Sequence, residues 1–190
     1  MRKAASALGL LALLGVAIPS TLPASTALAQ ATGAAALSEP DTTFLPEAIR
    51  AGLAEVELGK LGVQKASNPE VKQFAERMVA DHSAANERLS ALAAEHKIEV
   101  EGTYGTPPLR PDEQAAAKMQ EMSRLSGSAF DQAFMRQMIE DHQKAVELFG
   151  REAKEGKDKK VTGFVAEVLP KLQEHLAMAR RIGPQVGVSG

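Results

Sequence analysis

Two copies of one short pattern contain histidines that could do chemistry. The pattern Met-x-x-Asp-His-x-x-Ala occupies residues 78–85 and again residues 138–145, and a phenylalanine stands four residues before each copy. Positions three and four apart share one face of a helix, and on that face the neighbours of both histidines are apolar. The spacing therefore predicts that His82 and His142 point into a helical core. A third histidine, His175, has the same kind of position in a later apolar stripe.

An acidic residue accompanies these histidines. Glu55 lies within a helical stripe of small residues, where a carboxylate is costly unless it is paired or bound to a metal ion. Counting residues from the turns, with a rise of 1.5 Å per residue, places Glu55 and His82 within about 4 Å of the same height. The same count does so for His142 and His175. We expect all four side chains to converge when the turns lie at one end of the molecule.

One glutamate and three histidines form a nitrogen-and-oxygen donor set that suits zinc, iron, manganese or copper. The predicted metal ligands are Glu55, His82, His142 and His175. Two aspartates, each next to a histidine, are additional ligands or residues that orient an imidazole; they are Asp81 and Asp141. Further carboxylates in the same helices offer alternatives to Glu55, namely Glu57 and Glu147.

A purely structural interpretation of the same residues stays open. A single histidine in an apolar stripe is more often a neutral core residue, hydrogen-bonded to a carboxylate, than a metal ligand. The methionines near the histidines are interpreted as core filling rather than as copper ligands. His96, near the end of a predicted helix, is expected to be solvated.

The first 29 residues have the composition of an export signal. A basic start is followed by an apolar run over residues 4–18 and by Ala27-Leu28-Ala29, an A-x-A cleavage pattern. The sequence therefore predicts a signal peptide over residues 1–29 and a periplasmic or secreted protein. No later segment is apolar enough to predict a transmembrane helix.

Charge and cysteine content exclude several classes of function. Without Arg2 and Lys3, the chain has 20 basic and 24 acidic residues, a net charge of −4. An acidic surface argues against nucleic acid as a partner. The chain has no cysteine, which excludes disulfides, thiolate metal sites and thiol catalysis.

Turn signals divide the remainder of the chain into helices. Residues 30–42 are predicted to be a flexible linker, residues 43–183 a four-helix bundle domain, and residues 184–190 a flexible tail. The four long helices are expected over about residues 43–66, 69–97, 128–154 and 159–182, with a short extra helix over 112–125 after a crossover loop. Asn68 and Pro69 predict one helix start, and Ser128 with Asp131 predicts another. The short connections indicate two antiparallel hairpins.

A weak repeat indicates how the hairpins pack. Val56-Glu57-Leu58 recurs ninety residues later as Val146-Glu147-Leu148. This offset lays the first hairpin on the second, whereas the sixty-residue offset of the histidine pattern would lay the second long helix on the third. We favour the ninety-residue offset because it relates both hairpins across both turns. The predicted fold is an all-α antiparallel four-helix bundle built from two helical hairpins.

Five segments together resemble the exported bacterial family called domain of unknown function 4142. They are Ala54–Gly59, Met78–His82, Phe130–Asp131, Met138–His142 and Leu169–Leu176. The resemblance runs from about Phe44 to Ile182 and implies a ferritin-like four-helix bundle, but it implies no activity. Ferritin-like di-metal proteins have Glu-x-x-His on two helices. Here Val79 and Leu172 stand three residues before histidines, so the pattern does not predict a carboxylate-bridged di-iron centre.

Three functions are compatible with this pattern. The first is an exported bundle that binds a transition metal as a store, carrier or envelope stress protectant. The second is a non-metal helical module that binds an envelope protein, with structural His–Asp pairs in its core. The third, ranked last, is a metal-dependent enzyme.

Overall fold

The computed structural model describes residues 37–103, 105–106 and 113–189, which form five α-helices, one 3₁₀ helix and no strand. The helices are α1 (Glu39–Lys65), α2 (Pro69–Glu95), α3 (Glu113–Arg124), α4 (Gly127–Glu155) and α5 (Lys159–Ile182), followed by the 3₁₀ helix Gly183–Val186. The predicted all-α class is confirmed. The predicted signal peptide and most of the predicted linker lie outside the described residues. Within the described ranges, no helix is both long and apolar enough to cross a membrane.

Side-chain caps start the second helix of each hairpin. Asn68 Oδ1 accepts hydrogen bonds from the backbone N–H of Glu70 at 2.8 Å and of Val71 at 3.4 Å. Asp158 Oδ1 accepts from Lys160 at 2.8 Å and from Val161 at 3.0 Å. These caps satisfy donors that the first turn of a helix leaves free. Because each turn has only three residues, α1 with α2 and α4 with α5 form antiparallel hairpins.

The two hairpins pack side by side. Helix α1 contacts α2 and α4, and α5 contacts α2 and α4. These contacts agree with the ninety-residue offset, which lays the first hairpin on the second. The expectation that both turns lie at one end is wrong. Asp131 near the start of α4 contacts the α1–α2 turn, and Asp41 near the start of α1 contacts the α4–α5 turn, so the turns lie at opposite ends.

The predicted cap pair of Ser128 and Asp131 is wrong. Ser126 precedes the first residue of α4, so Asp131 lies in the second turn and faces the α1–α2 turn. Asp131 is buried and accepts hydrogen bonds from the backbone N–H of Ser67 at 3.0 Å and of Asn68 at 2.9 Å, and from the Ser67 hydroxyl. The carboxylate fixes the α1–α2 turn to α4.

Both predicted flexible ends are shorter than expected. Helix α1 begins at Glu39, inside the predicted linker, because buried Asp41 in its first turn accepts hydrogen bonds from the backbone N–H groups of Lys157 and Asp158. The predicted flexible tail from residue 184 instead continues as a 3₁₀ helix, and Val188 is buried in the core.

The prediction of a solvated His96 is also wrong. Its side chain is only 7% exposed, and its Nε2 lies 3.6 Å from Asp158 Oδ2. The end of α2 therefore packs against the α4–α5 turn.

Two apolar clusters form the core and leave a layer between them. Towards the α4–α5 turn, the first cluster includes Ile49, Leu89, Phe149 and Leu172. Towards the α1–α2 turn, the second cluster is formed largely by Val71, Phe74, Met78, Phe134, Met138 and Ala179. In each of α2, α4 and α5, the residues between these clusters include a buried histidine.

Candidate metal centre

Three helices bring three buried histidines together in the layer between the apolar clusters. His82 on α2, His142 on α4 and His175 on α5 are 8%, 1% and 2% exposed. One donor nitrogen from each ring lies within 4.8 Å of those from the other two. The ring centroids are 5.4 to 5.6 Å apart. We call these three residues the histidine triad.

A backbone hydrogen bond sets the tautomer of His142. Its Nδ1 lies 2.9 Å from the carbonyl oxygen of Met138, one helical turn earlier. A carbonyl only accepts, so Nδ1 carries the hydrogen and Nε2 carries the lone pair. That Nε2 lies 3.4 Å from Nε2 of His82. His142 therefore presents a ligating lone pair to its neighbour in the triad.

A carboxylate sets the orientation of His175. Its Nε2 lies 2.9 Å from Asp81 Oδ2, which also accepts a hydrogen bond from Arg77 Nε at 3.2 Å. Because the carboxylate accepts, Nε2 of His175 donates and Nδ1 keeps the lone pair; that Nδ1 is buried without a hydrogen-bond partner. Partial burial alone would raise the pKa of Asp81, but hydrogen bonds from His175 and Arg77 lower it. Carboxylates commonly orient metal-bound imidazoles in this way.

Burial keeps the triad uncharged. Loss of solvent, and then the proximity of the other two histidines, lowers the pKa of His82 to about 3. Loss of solvent, followed by the proximity of His175, lowers the pKa of His142 to about 4. The pKa of His175 is also lowered, mainly by burial, although Asp81 opposes that shift. Neutral imidazole is the form that binds a metal ion.

The donor set and its spacing fit a transition metal ion. Two nitrogens bound at about 2.0–2.1 Å to one ion in tetrahedral geometry lie roughly 3.3–3.4 Å apart. The Nε2 atoms of His82 and His142 are 3.4 Å apart. The unpartnered Nδ1 of His175 is a further donor. Three imidazoles suit copper, zinc or iron.

Glu55 reaches the same region but does not join the triad. Its donor oxygens are not part of the group that lies within 4.8 Å. Glu55 is 6% exposed, and its Oε2 has no hydrogen-bond partner. Burial, followed by the nearby charge of Asp141, raises the pKa of Glu55 well above its usual range.

The other carboxylates named from the sequence have separate surroundings. Asp141 accepts a hydrogen bond from Gln137 Nε2 at 2.6 Å, whereas Asp81 is the partner of His175. Glu57 and Glu147 are exposed, and Glu57 forms an ion pair with Lys60.

A cavity of about 1760 Å³ lies beside the triad. Its lining includes the three histidines, Glu55 and Asp141, together with Asn86 and Gln137, which the sequence reasoning did not identify. Both amides are buried. Their signal in the sequence is helical spacing, because Asn86 follows His82 by four residues and Gln137 precedes Asp141 by four.

A helical bundle with a buried layer of histidines defines the class of protein. The chain belongs to the family described as domain of unknown function 4142, DUF4142, whose family model matches residues 26–182. The resemblance seen in the sequence is therefore confirmed. No curated protein matches the chain.

Solved structures with a similar fold include DUF305 proteins and CopM. A DUF305 protein from Streptomyces coelicolor is 12% identical, with a TM-score of 0.66 and coverage of 79% of this chain and 95% of that chain. A DUF305 fragment from Deinococcus radiodurans is 14% identical, with a TM-score of 0.65 and coverage of 78% and 98%. CopM in its Cu(I)-bound form is 16% identical, with a TM-score of 0.62 and coverage of 76% and 96%. At these identities the likeness shows a shared fold alone.

Proposed function

We propose that this protein binds one transition metal ion through His82, His142 and His175, and that copper is the preferred metal. The observation that carries the proposal is the convergence of three buried, neutral imidazoles in one layer. The proposed role of the metal-binding protein is that of an exported metal store, carrier or envelope stress protectant.

Copper is favoured over the other metals that suit imidazole for two reasons. Nitrogen sites bind Cu²⁺ more tightly than the other divalent ions of the first transition row. In addition, the structural neighbour CopM is known in Cu(I)-bound and Cu(II)-bound forms. Zinc and iron are the alternatives. Manganese is less suited, because it prefers oxygen ligands.

The finer features of the fold and location belong to the same proposal. The four long helices are proposed to have a ferritin-like arrangement, in which facing side chains commonly form metal sites. Export to the periplasm or beyond is supported by the leader pattern over residues 1–29 and by the Streptomyces neighbour, which is described as a candidate secreted protein. Asp81 is proposed to orient His175 without binding the ion.

A non-metal interaction module is the second candidate. The hydrogen bonds from His142 to Met138 and from His175 to Asp81 favour it. Each of them gives one nitrogen of a buried imidazole a hydrogen-bond partner without a metal ion. In that case the triad specifies helix packing.

Thermal unfolding separates these two functions. A ligand that binds only the folded state adds about 2.7 kcal/mol of stability at one hundred times its dissociation constant. We expect a chelator to lower the melting temperature of the isolated protein, and Cu²⁺ to restore it. His82→Leu should abolish the response to metal, whereas His96→Gln, which changes the histidine outside the triad, should retain it. Identical wild-type melting curves with chelator, Cu²⁺, Zn²⁺ and Fe²⁺ would rule out the metal function.

A further inference from the structure

Glu55, Asp141 and Asn86 are among the residues that line the cavity beside the triad without belonging to it. Glu55 and Asn86 are each 6% exposed. Glu55 Oε2 and both polar side-chain atoms of Asn86 have no hydrogen-bond partner. An unpaired buried polar group costs free energy, so this arrangement calls for a ligand or solvent in the cavity.

The packing of α1 on α2 places Glu55 at the height of the triad. A side chain at Gly52 would overlap Asn86, and one at Gly59 would overlap Val79. Between these contacts the two helices advance by seven residues in opposite directions, which fixes their register. Glu55, three residues after Gly52, is therefore level with position 83, next to the first histidine of the triad.

Helix α4 contributes the second carboxylate at the same height. Asp141 immediately precedes His142, lines the same cavity and acts electrostatically on Glu55. Its Oδ2 accepts one hydrogen bond, from Gln137, which leaves other oxygen lone pairs for a cation. Helices α1 and α4 are in contact, so the two carboxylates lie on facing elements.

We propose that Glu55 and Asp141 form a docking site, in the cavity that Asn86 also lines, at which a divalent metal cation is captured before it moves to the triad. This inference rests on the proposed function, because it requires the triad to be the final site. Carboxylate and amide oxygens bind divalent cations, whereas imidazole nitrogens hold Cu²⁺ more tightly. The ion therefore moves from oxygen donors to nitrogen donors within one layer of the bundle.

The docking site predicts an effect on the rate of loading rather than on final occupancy. Stopped-flow mixing of the metal-free protein with Cu²⁺, followed by the absorbance of the bound ion, measures that rate. We expect Glu55→Gln and Asp141→Asn each to slow loading by about tenfold or more, because each removes a carboxylate that binds the cation in its ionised form. For Glu55 the incoming cation displaces the proton that burial favours. Both should still bind one Cu²⁺ per chain at equilibrium. Glu76→Gln, an exposed change of equal charge on α2 away from the cavity, is the control and should load at the wild-type rate.

The loading experiment has four possible results, which distinguish failure of the docking site from failure of the proposed function. Slow loading of both cavity variants, with full occupancy and a normal control, supports the docking site. Unchanged rates in both variants, or an equally slow control, overturn it while leaving the triad as the binding site. A loss of equilibrium occupancy in Glu55→Gln makes Glu55 a permanent ligand and also overturns it. Absence of Cu²⁺ binding by the wild type refutes the proposed function itself. If Glu55→Gln does not fold, Asp141→Asn decides the question alone.

Discussion

The His175 imidazole and the Asp81 carboxylate are joined by a 2.9 Å hydrogen bond, although 94 positions separate them in the chain. Asp81 adjoins His82 in sequence, yet its partner is the histidine of another helix. This contact fixes the ring of His175 and leaves its Nδ1 lone pair buried and unpartnered. The pairing links α2 to α5 in the layer that contains the proposed metal site.

Asp81→Asn should weaken metal binding without abolishing it. The asparagine oxygen can still accept from His175, but the negative charge that strengthens the imidazole as a ligand is lost. Loss of such a partner typically costs 10–100-fold in metal affinity. Competition with a chelator of known affinity measures the change. Glu167→Gln, an exposed change of equal charge on α5, is the control; equal affinities of Asp81→Asn and the control would contradict the orienting role.

A pair of glycine substitutions tests the close packing of α1. A Cβ at Gly62 would lie 2.7 Å from Ala75 Cβ and 2.8 Å from Phe134 Cζ, whereas a Cβ at Gly163 would meet no atom within 4 Å. Overpacking of this kind costs typically 1–3 kcal/mol. We expect Gly62→Ala to destabilise the protein by about that amount, and Gly163→Ala to stabilise it by roughly 0.5–1 kcal/mol through helix propensity. Urea unfolding measures both; equal effects of the two changes would refute the packing argument.

Removing Asp131 should loosen the α1–α2 turn. The carboxylate is the acceptor for the backbone N–H groups of Ser67 and Asn68, and loss of an acceptor leaves each donor unpaired. Ser67 is exposed and Asn68 is half-buried, so water can replace part of each lost bond, and the net value of one hydrogen bond is about 0.5–1.5 kcal/mol. Asp131→Ala should therefore lower the free energy of unfolding by at least about 1 kcal/mol. Ser128→Ala, at the exposed position first predicted to be a cap, should change it by less than about 0.5 kcal/mol. Unfolding of both variants at the same denaturant concentration would contradict this role of Asp131.

The contribution of Glu152 to the free energy of unfolding depends on pH. Burial and the hydrogen bond to Asp41 raise the pKa of Glu152 from an ordinary 4.5 to about 7. Between these values the folded chain holds the proton that the unfolded chain releases. Stability from this group is therefore present at pH 5 and is lost as the pH rises through 7.

The substitution Glu152→Gln removes the titrating group and so measures its contribution to the free energy of unfolding. The stability of Glu152→Gln relative to the wild type should increase from pH 5 to pH 8, because only the wild type must release a buried proton. Urea unfolding at pH 5, 6.5 and 8 measures the difference. Glu147→Gln, an exposed change of equal charge on the same helix, should follow the wild type at every pH. A constant difference between Glu152→Gln and the wild type would show that Glu152 does not titrate in this range.

Much of the fold could be predicted because its signals are local. Asn68-Pro69 and Gly156-Lys157-Asp158 mark the two hairpin turns, and the apolar spacing around His82 and His142 identifies their buried face. Helix periodicity gives the face of each residue, and turn length gives its height. The heights are counted for turns at one end, whereas the structure places the two turns at opposite ends. The histidines still lie in one layer because His82 and His142 stand near the middle of their helices, where the direction of a hairpin changes the height little.

The partners of polar residues could not be predicted in the same way. Whether Asp81 contacts His175, or Asp131 contacts the α1–α2 turn, depends on how far each helix is rotated about its axis, which the spacing of apolar residues fixes only coarsely. The docked tail was missed for another reason. Val186 and Val188 are the two apolar residues among Gly, Pro, Gln and Ser in the tail, and two residues are too few to give a periodic signal.

X-ray absorption at the copper edge of the loaded protein tests the central claim most directly. The triad predicts one copper ion per chain with about three nitrogen ligands near 2.0 Å and the outer-shell scattering typical of imidazole. His142→Leu should remove one imidazole from that signal or abolish binding. A coordination shell made only of oxygen or sulfur, or a wild-type protein that retains no copper, would contradict the assignment of His82, His142 and His175 as the metal site.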